Sequence, residues 1–289
     1  MSTGIHSHHL QDVTEDSLSR PVNTDAADAA YPQDPLVDAT ANSAAALPNW
    51  TAAPTQTLYL TEPGTMNPVS VTDINQGQLG DCFLLSPLGE EALFHPSSIT
   101  NMIHNNGNGT ETVTLYTDRS GRLPTFGSTS FKATTVTINN SFSPASVDNG
   151  GRQDVVGNQK EIWPQVVEKA AATLDGGYNA IANGGYPVLA MEELTGQAAT
   201  WMSPAALTFA TLQKYVAAGD LITMDTSSSG RLPYGLFNGH CYMFDKLNGS
   251  GGSASVQLLN PWGFDQPSAI PLTQLARGGI VEVDIGHVG

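Results

Sequence analysis

Three side chains far apart in the sequence have the types that nucleophilic catalysis by a thiol requires. Such chemistry needs a thiolate, a base within hydrogen-bonding distance and a third group that fixes the tautomer of the base. Cys82, His240 and Asn260 offer one candidate for each role. Taken singly they carry little information, because a lone cysteine is usually a small buried apolar residue. Their sequence surroundings therefore decide whether they act together.

The segment that follows Cys82 has apolar residues at helical spacing, which predicts a helix over residues 82–94. Cys82 would then lie at a helix N-terminus, where unpaired backbone N–H groups and the helix dipole lower the pKa of a thiol. Pro87 has to be accommodated in or after the first turn of this helix. We expect Asp81 to act as the helix cap rather than in the chemistry.

The two other candidate residues belong to predicted strands. His240 follows Gly239 at the start of one strand, and Asn260 ends the next strand. If these strands pair, the asparagine side chain reaches the imidazole ring. Because successive side chains on a strand face opposite sides, we expect Cys241 to be a structural residue of the β core.

The remaining periodicity predicts an α+β protein with a mostly helical first half and a β-rich second half. Helical spacing also covers 161–174 and 206–217, and strand patterns cover 112–116, 131–138, 221–226, 240–247, 255–259 and 279–285. The predicted subdomains are 56–198, with the cysteine, and 199–289, with the histidine and asparagine. This layout resembles the papain-like fold, which implies an active site in the cleft between the subdomains.

Three motifs relate the chain to a known family. They are QGQLGDCFLL at 76–85, GLFNGHCY at 235–242 and LLNPWG at 258–263. They resemble, in the same order, the cysteine, histidine and asparagine motifs of the calpains, except that Phe83 stands where a tryptophan usually follows the cysteine. Weaker similarities are EIW at 161–163, EKA at 168–170 and EELTG at 192–196. The resemblance runs from about residue 58 to the end of the sequence.

The resemblance implies a calpain-like cysteine endopeptidase that hydrolyses peptide bonds through a thioester acyl-enzyme. Cys82 is then the nucleophile, His240 the general base and later acid, and Asn260 the group that orients His240. Gln76 is expected to supply the side chain of the oxyanion hole, together with the backbone N–H of Cys82. Trp262 is expected to shield the hydrogen bond between His240 and Asn260 from water.

The resemblance also raises the question of calcium, because calpains bind one calcium ion in each half of the catalytic core. Asp73 and Glu161 coincide with the carboxylate ligands of the first family site, and carbonyl groups near Met66 and Pro68 would complete it, although the family's local glycine is missing. Oxygen ligands of this kind suit calcium. The second family site is expected to be absent, because Asp265 is the only carboxylate close to the asparagine motif.

The first 55 residues form an acidic tail with little apolar periodicity, which predicts disorder. A propeptide, a targeting segment and a site of self-cleavage are all compatible with this composition. The net charge of −16 disfavours a nucleic-acid partner. No apolar run has the roughly 20 residues that span a bilayer, and the N-terminus lacks the pattern of a standard secretory signal.

Two cysteines do not form a disulfide framework, so a reducing compartment is the simplest expectation. We expect a monomer that acts on protein or peptide substrates, either in the cytoplasm or after delivery by a non-standard secretion route. Residues 227–234 lie where calpains carry a mobile gating loop. Two alternatives stay open: another acyl transfer on the same triad, as in a transglutaminase or deamidase, and an inactive binding module that kept the fold.

Overall fold

The protein is mixed α+β, as predicted, in a computed structural model that describes residues 55–61, 67–148, 155–156 and 159–288. The predicted tail thus lies almost wholly outside the described residues, as does Met66. The helices are α1 (Cys82–Phe94), α2 (Pro96–Met102), α3 (Trp163–Asp175), α4 (Tyr178–Ile181), α5 (Pro187–Thr195) and α6 (Phe209–Ala218). Short 3-10 turns occur at Val71–Asp73, Gly251–Ser253 and Leu272–Gln274.

The strands within the described residues form three sheets. They are β1 (Thr55–Thr57), β2 (Ile103–Asn105), β3 (Thr110–Asp118), β4 (Phe131–Asn139), β5 (Val155–Val156), β6 (Gln159–Glu161), β7 (Ala199–Met202), β8 (Leu221–Thr226), β9 (Cys241–Asn248), β10 (Ser255–Leu259), β11 (Ile270–Pro271) and β12 (Ile280–Gly286). The largest sheet has the order β11-β10-β9-β8-β12-β7 and is antiparallel throughout. The two smaller sheets have the orders β2-β3-β4 and β1-β6-β5.

Helix α1 is the central element between the two halves of the sequence. It packs against α5 on one side and against β8 and β9 on the other, which explains why it is apolar on most of its surface. Its bounds agree with the prediction. The helix continues through Pro87, which lacks the N–H that would bond to the carbonyl of Phe83.

Among the described residues, buried apolar side chains form two clusters, and each cluster comes from a different part of the chain. One cluster draws on residues 69–194 and the other on residues 207–285. The sequence patterns that predicted strands correspond to burial in the structure. Residues of β3 alternate between buried and half-buried, and every residue of β8 is buried. The β8 strand is covered because α1 lies on one of its faces. Among the described residues, no helix combines the length and the apolar character needed to cross a membrane.

Several acidic side chains are buried at the end of α3 and in α5. Burial raises the pKa of Glu192 to about 7 and that of Asp175 to about 6. Burial, followed by the charge of Asp175, raises the pKa of Glu193 well above its usual range. These groups bind their protons more tightly in the folded chain than in the unfolded chain.

The raised pKa values predict how stability depends on pH. A group whose folded pKa is raised stabilises the fold below its unfolded pKa and loses that contribution as pH rises to its folded pKa. We therefore expect the free energy of unfolding to fall between about pH 5 and pH 7, as measured by urea titration. Glu192→Gln should flatten this fall.

The matched control is Asp118→Asn. Hydrogen bonds from Ser120 and Arg122 hold the pKa of Asp118 below its usual value, so this group titrates below the tested range. The control should leave the pH profile between about pH 5 and pH 7 unchanged. Stability that rises over this range, or a Glu192→Gln profile equal to that of the wild type, would contradict the assignment.

Candidate active site

Cys82 is the first residue of α1 and is 4% exposed. The carbonyl of Asp81 accepts hydrogen bonds from the N–H groups of Leu84 and Leu85, which closes the first turn around the cysteine. A helix N-terminus favours negative charge because its first N–H groups have no partner within the helix. The fold therefore places the thiol at the first residue of a helix, as the sequence predicted.

The expected capping role of Asp81 is wrong in one respect: its side chain makes no capping hydrogen bond. Instead, the Asp81 carboxyl group is fully buried, accepts a bond from Gln76 Nε2 at 3.2 Å and bonds to the carboxyl group of Glu168 in α3. Burial raises the pKa of Asp81 to about 7 and that of Glu168 well above its usual range. The backbone of Asp81 has φ −105° and ψ 23°, and the side chain is directed into the core rather than along the helix end.

His240 and Asn260 meet at one end of the paired strands β9 and β10. The Nε2 atom of His240 lies 2.9 Å from Oδ1 of Asn260, and both side chains are almost completely buried. The backbone N–H of Trp262 donates to the same Oδ1 atom at 3.1 Å. Since a backbone N–H can only donate, the amide of Asn260 must present its oxygen there, and His240 must donate from Nε2. The contacts of Asn260 therefore fix Nε2 as a ring nitrogen that carries a hydrogen.

The backbone of His240 is held by the end of β8. The N–H of His240 donates to the hydroxyl of Thr226 at 2.9 Å, and the N–H of Thr226 donates back to the carbonyl of His240 at 3.0 Å. Gly239, at φ +61°, makes the turn that precedes this pair. Thr226 was not anticipated from the sequence, although a polar residue at the end of a buried strand is the signal that could have identified it.

Aromatic rings surround the imidazole of His240. The ring centroid of Trp262 lies 4.7 Å away, and that of Tyr242 lies 4.8 Å away in an edge-on arrangement. Phe237 packs against Trp262 at 4.5 Å. Trp262 is only 5% exposed and contacts both His240, through its ring, and Asn260, through its backbone N–H.

The side chain of Gln76 lies in the same region but is engaged with its own segment. Its Nε2 donates to the carbonyl of Leu79 at 2.8 Å and to Asp81 at 3.2 Å. Its backbone N–H donates to the carbonyl of Pro261 at 2.8 Å. This last bond ties the segment before the cysteine to the segment after the asparagine.

Cys241 is buried beside the candidate histidine, and its environment disfavours a thiolate. Burial, then the charges of Asp225, Cys82 and Asp284, raise the pKa of the Cys241 thiol well above its usual range. The two cysteines are not joined by a disulfide bond. These features agree with a structural role for Cys241.

The proposed calcium ligands Asp73 and Glu161 are buried near Trp163. Asp73 Oδ2 accepts from the N–H of Ser70 at 2.7 Å and from Trp163 Nε1 at 2.8 Å. Glu161 Oε1 accepts from the N–H of Leu60 at 2.6 Å. Carboxylate oxygens are ligands that calcium takes, and in this structure those of Asp73 and Glu161 accept hydrogen bonds from backbone and indole N–H groups. Met66, whose carbonyl was a further candidate ligand, lies outside the described residues.

Among the described residues, another set of acidic side chains is close enough to share a cation. The ligand atoms of Asp225, Glu282 and Asp284 lie within 4.8 Å of one another. The set was not anticipated from the sequence, because the three residues come together only through the pairing of β8 with β12.

The comparison with known proteins agrees with the motifs. A family model described as calpain family cysteine protease matches residues 54–268. Calpain-9 of Rattus norvegicus is 28% identical over 218 residues, which are 66% of this chain and 28% of that protein. Calpain-9 of Homo sapiens is 29% identical over 220 residues, with the same 66% and 28% coverage.

A further relative, calpain-A of Drosophila melanogaster, is 30% identical over 122 residues, which are 36% of this chain and 14% of that protein. The chain thus spans less than a third of the length of the curated relatives it matches. The family model, in contrast, covers well over half of the chain. The chain therefore belongs to the calpain family of cysteine proteases.

Proposed function

We propose that this chain is an endopeptidase that cleaves peptide bonds with Cys82, His240 and Asn260 as its catalytic triad. The observation that supports it most directly is the fixed direction of the His240–Asn260 bond, at 2.9 Å. Because Nε2 donates to Asn260, Nδ1 is left as the nitrogen that can take a proton from a thiol and return it to a leaving group. Membership of the family supports the same activity.

The reaction runs in two halves. In the first half, the Cys82 thiolate attacks the carbonyl carbon of the peptide, a carbon–sulfur bond forms, and the proton on His240 Nδ1 passes to the amine as the carbon–nitrogen bond breaks. In the second half, a water molecule gives its proton to Nδ1, and its oxygen attacks the thioester. The acid product leaves, and the thiolate and imidazolium are restored.

The negative charge on the carbonyl oxygen needs donors in the tetrahedral intermediate. We propose that Gln76 and the backbone N–H of Cys82 supply them. In the present arrangement, Gln76 Nε2 is bonded to Leu79 and Asp81, so this role requires its amide to turn toward the substrate. The position of Gln76 next to Pro261 supports the proposal, because it keeps the side chain close to the asparagine segment.

We place substrate binding in a cleft between a helical subdomain at 56–198 and a β-rich subdomain at 199–289. The two separate apolar clusters support this division. Substrates are proteins or peptides, and the acidic segment at 1–55 is a candidate for self-cleavage. Residues 227–234, which lead from β8 toward His240, are the candidate gating loop.

Mutation and labelling test the triad together. We expect Cys82→Ala to reduce kcat by at least about 10³-fold, because residual catalysis comes only from binding and the oxyanion donors. Cys241→Ala should retain activity and should still react with an epoxide inhibitor at Cys82. Peptide hydrolysis and mass spectrometry of the inhibitor adduct provide the measurements.

The same assay separates the alternatives. Masses of the products distinguish a cleaved peptide from a deamidated or cross-linked one, which a deamidase or transglutaminase would yield. The endopeptidase assignment would be rejected by an inhibitor adduct at a residue other than Cys82. It would also be rejected by a folded protein that gives neither product nor adduct. The second outcome would favour an inactive binding module.

We propose a calcium site at Asp73 and Glu161, because calcium binds the carboxylate oxygens that these residues supply. Trp163 Nε1 bonds directly to Asp73, so a luminescent lanthanide in this site would lie next to an indole that can excite it. We expect terbium to give indole-sensitised emission that calcium competes away. Asp73→Asn should abolish this emission, while Asp118→Asn, a control whose carboxylate accepts hydrogen bonds from its own turn, should not. Emission that persists in Asp73→Asn would place the ion elsewhere.

A further inference from the structure

The face of α1 that carries Cys82 also carries the contacts to the strand that follows His240. Cys82, Ser86 and Glu90 are spaced four residues apart, which places them above one another on one side of the helix. This side meets β8 and β9. The position of the thiol relative to the imidazole is therefore set by what Ser86 and Glu90 bind.

Ser86 makes the contact nearest to the candidate catalytic pair. Its buried hydroxyl donates to the carbonyl of Cys241 at 2.9 Å. Cys241 follows His240 directly, so this bond connects the second turn of the cysteine helix to the backbone beside the histidine. Between Ser86 and Glu90, a Cβ atom on Gly89 would lie 2.1 Å from Met243 Sδ. The absence of a side chain at Gly89 lets the helix approach β9 this closely.

Glu90 occupies a gap in the large sheet. The pairing of β8 with β9 ends at Thr223 and Met243, although both strands continue past these residues. Beyond that point, the N–H of Ile222 donates to Glu90 Oε2 at 3.3 Å, and the N–H of Phe244 bonds to the same carboxyl group. A side chain from α1 thus replaces a rung of the strand ladder.

Burying a carboxyl group costs free energy unless hydrogen bonds compensate. The bonds that Glu90 makes therefore indicate why a carboxyl group stands here. Glu90 is completely buried, and burial raises its pKa well above the usual range, against the effect of the two backbone N–H groups. An apolar residue would pack against an apolar sheet at less cost. The carboxyl group, in contrast, binds two strands at once and fixes the helix in one rotational and axial position.

We propose that Glu90 is a positioning residue for catalysis: it anchors the helix of Cys82 to β8 and β9 and, with Ser86, holds the thiol in register with His240. The inference rests on the proposed function, because it assumes that these two residues react together. Removing the carboxyl group leaves the N–H groups of Ile222 and Phe244 without that acceptor. The strands then close or water enters, and the helix shifts relative to His240.

Glu91 provides a matched control for Glu90. It is the next residue of α1 and is also buried, but its carboxyl group bonds to Ser98 in α2 and faces His95. These partners belong to the same half of the chain as α1. Loss of Glu91 should therefore destabilise the fold without moving the helix against the histidine strand.

The experiment compares Glu90→Ala, Glu90→Gln and Glu91→Ala in the full chain. The measurements are the free energy of unfolding, kcat and KM for a peptide, and the short-wavelength ultraviolet absorbance of the Cys82 thiolate. We expect Glu90→Ala to lower kcat by about 10- to 100-fold with a small change in KM, because a displacement of about 1 Å costs that much. Its thiolate absorbance should also fall.

The two other variants provide an intermediate case and a control. Glu90→Gln should lie between the wild type and Glu90→Ala, because an amide oxygen can still accept one of the two N–H bonds; it replaces Glu90→Ala should the latter not fold. Glu91→Ala should keep the wild-type kcat and absorbance per folded molecule. Equal kcat values in the Glu90 and Glu91 variants would overturn the positioning role. A wild type that neither cleaves peptide nor labels at Cys82 would instead overturn the proposed function.

Discussion

The antiparallel pairing of β9 with β10 is the constraint on which the candidate site depends. At its end, Leu259 pairs with Met243, so the next residue, Asn260, comes beside Tyr242, and the N–H of Gly263 then donates to the carbonyl of Asn260 and closes a turn. Directly opposite and diagonal neighbours of an antiparallel pair share one face of the sheet. The hydrogen bond of His240 to Asn260 follows from this placement, and the turn after Asn260 brings the ring of Trp262 against that of His240. The pairing register and the turn at its end therefore supply the amide that bonds to His240 and one of the aromatic rings beside it.

That register depends on an irregularity in the ladder. Gln257 pairs with Lys246, but Leu258 pairs with Phe244, so Asp245 is an extra residue on β9. Such a bulge shifts the register by one residue, and a shift of one residue turns side chains to the opposite face. Without it, Asn260 would come opposite Met243 instead of Tyr242. The bulge thus belongs to the architecture of the site although it lies several residues away.

Sequence patterns predicted what depends on local periodicity and missed what depends on long-range contact. Helix α1 and strands β8 and β10 have their predicted bounds, because each is a regular segment with a buried face. The adjacency of His240 and Asn260 was also predictable, since neighbouring antiparallel strands bring such ends together. The role of Asp81 was not, because a residue at the start of a helix normally caps it, and only the fold brings Glu168 to its side chain. The role of Glu90 was not predictable for the same reason, because its partners are backbone groups far away in the sequence.

The motif glycines show how sequence similarity and physical constraint are connected. A Cβ atom on Gly77 would lie 2.2 Å from the carbonyl oxygen of Ser146, and one on Gly263 would lie 2.2 Å from Asn75 Oδ1. Neither glycine takes part in the proposed chemistry. Both lie where the segment before Cys82 meets other backbone, and one of these contacts runs beside the bond from the N–H of Gln76 to the carbonyl of Pro261. The residue types around Cys82 and Asn260 in the motifs are therefore those that let the segment before Cys82 and the segment after Asn260 pack closely. Cys82 and Asn260 can belong to one site only if these segments pack at backbone distance.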